Sequence, residues 1–219
     1  MTMTGLPRKT LHLTALAVPL AGWTLHTTVL HRRLAQAQRD PLSGTWRREA
    51  FTGRARRILD RHPGDVVLVL GDADRFKDFN DRYGDAAGDT VLAAIGHRLT
   101  EWAGIRGVTG RLGGDEFVAL ARIEPRHQPL RLEQLNRLMA APVPCGDSLL
   151  PVGVSLGAAT PDATGTRDLP ALMRAADAAM YEGKHTGNVV RARPEHTGIP
   201  AVNGRRLGRP GTSIRGRAA

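Results

Sequence analysis

Apolar residues between positions 44 and 59 (Trp46, Ala50, Phe51, Ala55, Ile58 and Leu59) recur near helical spacing and predict a helix at the start of the folded region. Val66 to Leu70 is an unbroken apolar run rich in β-branched residues, which predicts a strand covered on both faces and ending at Gly71-Asp72. A short helix follows. Asp89 is the expected N-cap of a long helix whose buried stripe is Val91, Leu92, Ile95, Leu99 and Trp102. Val108 to Leu112 and Glu116 to Arg122 read as the arms of a hairpin, joined through Gly113-Gly114, a pair able to supply positive φ at a tight turn. A helix over 129–140, a strand over 150–158 and a helix over 168–183 follow, the last carrying Leu169, Leu172, Met173, Ala176 and Met180. A further short strand is expected near Val189-Val190.

The flanks read differently. Leu11 to Leu30 has about the length of a bilayer span, but His12, Pro19, His26 and several threonines dilute its apolarity. No small-residue cleavage site follows, and Arg32-Arg33 would keep the downstream domain in the cytoplasm. Residues 11–30 are therefore read as an uncleaved anchor at the inner face of a membrane, with an amphipathic or dimerising helix as the alternative. Residues 1–39 form this N-terminal part, 40–191 the folded domain, and 192–219, rich in Gly, Pro and Arg without apolar period, a basic disordered tail.

The net charge of +10 suggests an anionic partner until its distribution is considered. Residues 1–39 hold five Lys and Arg and no acid, and residues 190–219 hold seven arginines against Glu195. The middle is close to neutral, so no specific nucleic-acid face is expected on the folded domain, and an aromatic content of 4% offers few stacking platforms. The single cysteine, Cys145, excludes a disulfide framework and a thiolate zinc cluster. Eight histidines lack ligand spacing, and Ser155 has no base nearby in sequence, so it reads as sheet packing.

Two acidic elements remain. Asp72-Ala73-Asp74 ends a buried strand and Asp115-Glu116 sits at a hairpin tip. Neighbouring strands would bring them together, and carboxylates from two adjacent strands suit a two-metal phosphoryl-transfer site, because Mg²⁺ takes oxygen ligands and leaves room for substrate phosphates. The spacing does not fit an EF-hand, where Phe76 would occupy a ligand position, and Gly183-Lys184-His185 lacks the glycine and hydroxyl of a P-loop.

Arg111-Leu112-Gly113-Gly114-Asp115-Glu116-Phe117 resembles the signature of GGDEF-domain diguanylate cyclases. Asp72-Ala73-Asp74-Arg75-Phe76-Lys77-Asp78-Phe79-Asn80-Asp81, then Gly84 and Gly88-Asp89, resemble a second family block, Asp40-Pro41-Leu42-Ser43-Gly44 through Arg48 the opening block, and Ala176-Asp177, Met180-Tyr181 and Lys184 the closing one. The resemblance covers about residues 40–190. It implies an α+β fold like nucleotide cyclases and polymerase palms, with a mostly antiparallel sheet flanked by helices. It also implies a homodimer condensing two GTP into cyclic di-GMP and pyrophosphate, one GTP per half-site, with two Mg²⁺ (or Mn²⁺) in each. Asp72, Asp115 and the Ala73 carbonyl would ligate metal, and Glu116 would be a ligand or the base for the attacking 3′-hydroxyl. Asn80 and Asp89 would bond the guanine edge, Lys77 and Lys184 would offset phosphate charge, and Gly113 and Gly114 would let backbone approach the phosphates. The alternative is a catalytically silent GTP-binding module used for signalling or interaction.

Several positions depart from the family pattern. Asp85 replaces a usual histidine, Asn188 stands where a phosphate-gripping arginine is expected, and Gly104-Ile105-Arg106-Gly107 falls where the product-inhibition motif R-x-x-D would lie. Weaker triphosphate binding and loss of feedback are expected. Arg47 stands where asparagine is usual.

Overall fold

The computed structural model describes residues 23, 26–28, 38–184 and 188–198. The chain divides into Met1–Arg39 and Asp40–Ala219. In the first unit Trp23 and residues 26–28 are helical, and the Thr27 hydroxyl donates to the Trp23 carbonyl at 2.9 Å. No helix among the described residues is long and apolar enough to cross a membrane. The anchor expected over 11–30 thus gains no support, and most of it lies outside the described residues.

The second unit begins with β1 (Trp46–Arg47), α1 (Arg48–Arg61), β2 (Val66–Ala73), α2 (Phe76–Tyr83) and α3 (Asp85–Ala103). β3 (Val108–Gly113), β4 (Glu116–Arg122), a 3₁₀ turn at Pro125–His127 and α4 (Gln128–Ala140) follow. The remainder is β5 (Val143–Cys145), β6 (Ser148–Leu150), β7 (Val154–Ala159), α5 (Pro161–Thr164), α6 (Leu169–Glu182), β8 (Val190–Arg191) and a second 3₁₀ turn at Pro194–Gly198.

Six strands form one sheet in the order β1-β3-β4-β2-β7-β8, antiparallel at its centre and parallel at the two edge pairs, β1 with β3 and β7 with β8. All eight residues of β2 are buried, because helices cover both faces. On one face Val67, Val69, Phe117 and Ala119 pack against Val91, Leu92, Ile95, Leu99 and Trp102 of α3 and Leu132, Leu135 and Met139 of α4. On the other, Leu68, Leu70, Val118 and Leu120 meet Phe51, Ala55 and Leu59 of α1 and Leu169, Leu172, Ala176 and Met180 of α6. The α+β architecture is as expected.

Several boundaries differ from the sequence reading. β2 does not stop at Gly71-Asp72 but runs on through Ala73, because β4 and β7 pair with it to that point. Asp89 does not cap the long helix. Gly84, at φ 84°, ends α2 and starts α3, so the helix begins at Asp85 and Asp89 is an exposed residue within it. The helix expected over 44–59 starts at Arg48, after two residues of edge strand. The strand expected over 150–158 separates into β6, paired with the unforeseen β5, and β7. Beyond residue 191 the backbone stays packed as far as Gly198, with Ala192 and His196 buried. The arginines of the stretch masked its few inward-facing residues.

Candidate active site

The end of β2 gathers the acids. Asp72 lies opposite Glu116 of β4 and Ser155 of β7, and both acids are buried. The Ala73 amide donates to the Asp115 carbonyl at 3.2 Å, tying the strand end to the hairpin tip. Asp72, Ala73, Asp115 and Glu116 are thereby brought together across one strand pair. Alternation along the strands turns Asp72 and Glu116 toward the face covered by α1 and α6. A cation from just beyond the end of α6 meets Asp72. The Lys184 ammonium donates to Asp72 Oδ1 at 3.2 Å, with the Asp72 side chain 3% exposed. A carboxylate so far removed from water needs a cation beside it.

Asp74 takes another part. Its Oδ1 accepts from the Ser155 hydroxyl at 2.6 Å, and its amide donates to the Gly153 carbonyl at 2.9 Å, so it fastens the loop after β2 to β7. Ser155 is a positioning hydroxyl, in keeping with the packing role expected for it. Arg75 follows in the left-handed region at φ 50°, the one non-glycine with positive φ among the described residues, and opens α2. Such backbone is uncommon and tends to occur where a site constrains it. Lys77 is exposed on the first turn of α2. Asn80, on its last turn, lies against α3: its Oδ1 is buried without a hydrogen bond, and a Cβ at Gly88 would fall 2.0 Å from it. Asp89 is the next residue along α3. The structure thus forms two groups, the acids with Lys184 at the strand ends, and Asn80 with Asp89 where α2 meets α3.

The hairpin tip combines the expected glycine turn with braces from residues distant in sequence. Gly113 at φ 151° and Gly114 at φ 51° make the turn, with a bulge between Arg111 and Gly113. Arg111 Nε donates to the Gly114 carbonyl at 2.8 Å while its Nη1 pairs with Asp40 Oδ1 at 3.0 Å. Arg48 Nη2 donates to the Leu112 carbonyl at 2.8 Å. Asp40 also accepts from the Ser43 amide and hydroxyl, at 2.8 and 2.7 Å. The opening block is therefore a brace for the hairpin.

Burial works to raise the Asp40 pKa, but the bonds from Ser43 and the Arg111 guanidinium outweigh it and hold the carboxyl below its ordinary value. A carboxyl depressed by folding adds stability above its unfolded pKa, near 4, and loses it as pH falls through the folded value. Asp40→Asn is expected to cost about 1 kcal/mol at neutral pH, with the deficit shrinking below about pH 4. Thermal unfolding of both proteins across pH 3–7 checks this; an undiminished deficit in acid would assign the loss to something other than ionised Asp40.

Asn188 is turned to α4, accepting from Asn136 Nδ2 at 3.4 Å, while Asn136 Oδ1 accepts from the Val189 amide at 2.9 Å. At the far end of β4 and β2, Gly104, Ile105 and Arg106 line an open cleft of about 430 Å³ with Arg122 and Arg131. Beside it, a Cβ on Gly107 would lie 2.6 Å from the Ala103 carbonyl oxygen and 2.8 Å from that of Leu120.

Oxygen donors at the acid cluster suit a hard divalent cation. Such an ion is commonly held by one or two carboxylates with phosphate oxygens and water completing its shell. Asp72, Asp115 and the Ala73 carbonyl fit that donor set, and Lys184 on Asp72 is a stand-in positive charge. Among the described residues no three His, Cys, Asp or Glu gather closely enough to hold a metal unaided.

Residues 37–189 match the family model described as diguanylate cyclase, GGDEF domain. The chain is 43% identical over 170 residues to the 19.3 kDa protein of the repSA 5′ region of Streptomyces ambofaciens, covering 78% of this chain and 91% of that one. It is 36% identical over 178 residues to the diguanylate cyclase TpbB of Pseudomonas aeruginosa, covering 78% of this chain but only 40% of TpbB. The solved GGDEF domain of TpbB superposes with a TM-score of 0.63 at 33% identity, covering 72% of this chain and 96% of that domain. The coiled coil and GGDEF domain of DgcB from Caulobacter crescentus, solved with c-di-GMP, gives 0.64 at 26% identity over 81% of this chain and all of that one. With the acids delivered by β2 and the Gly113-Gly114 hairpin, and with a family model spanning most of its length, the chain belongs to the GGDEF-domain diguanylate cyclase family.

Proposed function

We propose that this protein is an active diguanylate cyclase, a homodimer in which two facing domains each hold one GTP and together form cyclic di-GMP and pyrophosphate. The observation that carries the reading is the tie between Ala73 and Asp115 beside the Asp72–Glu116 pair, which collects the oxygen donors at one strand end. Asp72, Asp115 and the Ala73 carbonyl would hold Mg²⁺, or Mn²⁺, in the two-ion arrangement. The metal supplies charge stabilisation at the reacting phosphate. The chain's own part is orientation. Asn80 and Asp89 bond the guanine edge, and the buried Asn80 oxygen, which lacks a partner, favours a group that brings a donor. Lys184 and Lys77 offset phosphate charge, the open Gly113-Gly114 backbone admits the phosphates, and Glu116 would serve as a further ligand or receive the proton of the 3′-hydroxyl. The catalytic domain works in the cytoplasm, where GTP is supplied.

Asn188 favours a second reading, a GTP-binding module without turnover, because its amide is engaged with Asn136 and contributes no charge to a triphosphate. Full-length protein at high concentration with GTP and Mg²⁺ separates the two. Cyclic di-GMP resolved by chromatography is the expected result; bound GTP without product would leave the silent module. Asn188→Arg is expected to tighten GTP binding by about tenfold in a calorimetric titration, the effect of one added charge-assisted contact.

A further inference from the structure

Beyond Glu182 the chain leaves α6, presents Lys184, and returns across the same helix end. On the return Val190 and Arg191 pair with Gly157 and Ala158 of β7, and the Ala192 amide donates to the Ala158 carbonyl at 2.6 Å. Three contacts then fix the last turn of α6 from outside. Val190 covers Gly183 so closely that a Cβ there would fall 2.2 Å from Val190 Cγ2. Arg193 Nη2 donates to both carboxylate oxygens of Glu182, at 3.3 and 3.0 Å. His196, its side chain 4% exposed, lies 3.0 Å from Glu182 Oε2 through Nε2. Its Nδ1 accepts from the Arg193 amide at 3.2 Å, so the ring proton sits on Nε2 and is donated to Glu182.

Both residues before Lys184 are thus held by the returning strap, and the Lys184 amide itself donates to the Tyr181 carbonyl at 3.2 Å. A lysine side chain has four rotatable bonds and ordinarily spreads over many rotamers. A fixed root narrows that spread and favours the arrangement in which the ammonium meets Asp72. We infer that Glu182, clamped by Arg193 and His196, is a positioning residue for Lys184, so that the strap over 190–198 is a working part of the nucleotide site. The inference rests on the reading of Lys184 as the cation that faces phosphate.

The test is a double-mutant cycle on the full chain, reading GTP affinity in the presence of Mg²⁺ by calorimetry, with thermal unfolding run on each variant. Lys184→Ala and Glu182→Ala are each expected to weaken GTP roughly three- to tenfold, and the double variant to bind no more weakly than Lys184→Ala alone. Arg193→Ala, which removes one arm of the clamp at a half-exposed side chain, is expected to weaken GTP in the same direction by less, and keeps the test open if Glu182→Ala folds poorly. Full additivity, or GTP affinity unchanged in both Glu182→Ala and Arg193→Ala while Lys184→Ala weakens it, would overturn the clamp and leave the phosphate reading standing. No effect of Lys184→Ala would overturn both.

Discussion

Asp115→Ala is expected to lower cyclic di-GMP formation about a thousandfold or more, the scale on which removal of an electrostatic contributor at a reacting phosphate is felt. The fold should survive, because the turn and its braces come from other residues. Its turn is made by Gly113 and Gly114, braced by Arg111 and Arg48, and it is the Asp115 backbone carbonyl that receives the Ala73 amide. Asp115 is moreover only partly buried. A thermal midpoint within a few degrees of the parent, with activity gone, is the expected pair of results. Turnover within tenfold of the parent would remove Asp115 from the metal site and, with it, the proposed chemistry.

The largest effect on stability is expected at Gly157. This residue of β7 lies under α6 so tightly that an added Cβ would fall 2.0 Å from the Ala176 carbonyl oxygen and 2.4 Å from the Met180 amide nitrogen. Both are helix backbone, which cannot step aside as a flexible side chain can. Relief requires α6 to lift from the sheet, opening the core formed by Leu172, Ala176 and Met180 and carrying Lys184 away from Asp72. Gly157→Ala should therefore cost about 3 kcal/mol or more in urea unfolding, at the upper end for overpacking. Gly53→Ala is the matched control. It lies exposed within α1 with nothing within 4 Å of the added carbon, and should gain roughly 0.5 to 1 kcal/mol through helix propensity. A Gly157 variant as stable as the parent would mean that α6 packs more loosely than its contacts indicate.

Elements whose signal is local were legible in the sequence. The Val66–Leu70 run, the Gly113-Gly114 turn and the α6 stripe each state their conformation within a few residues, and the structure forms them where expected. The ends were less legible. The strand was expected to end at Gly71-Asp72, yet ladder pairing on both sides holds it to Ala73. Asp89 had the right chemistry for a cap, but Gly84 supplied the sharper break. The supports of the site were hidden for another reason. Arg48 to Leu112, Arg111 to Asp40 and Asp74 to Ser155 join positions 64, 71 and 81 residues apart, and no local periodicity carries such a pairing. The acids were readable because their residue types are tied to chemistry, while their braces use arginines and serines that serve equally well as solvated surface.

At the sheet end remote from the acids, the backbone around Gly107 leaves no space for any side chain. An R-x-x-D motif at 104–107, where both end positions are glycine, therefore cannot be installed by side-chain exchange alone, since the turn between α3 and β3 would have to be rebuilt to receive the aspartate. Anyone wishing to write such a motif into this chain would have to replace the segment joining α3 to β3 as a unit, because the fold does not accept it one residue at a time.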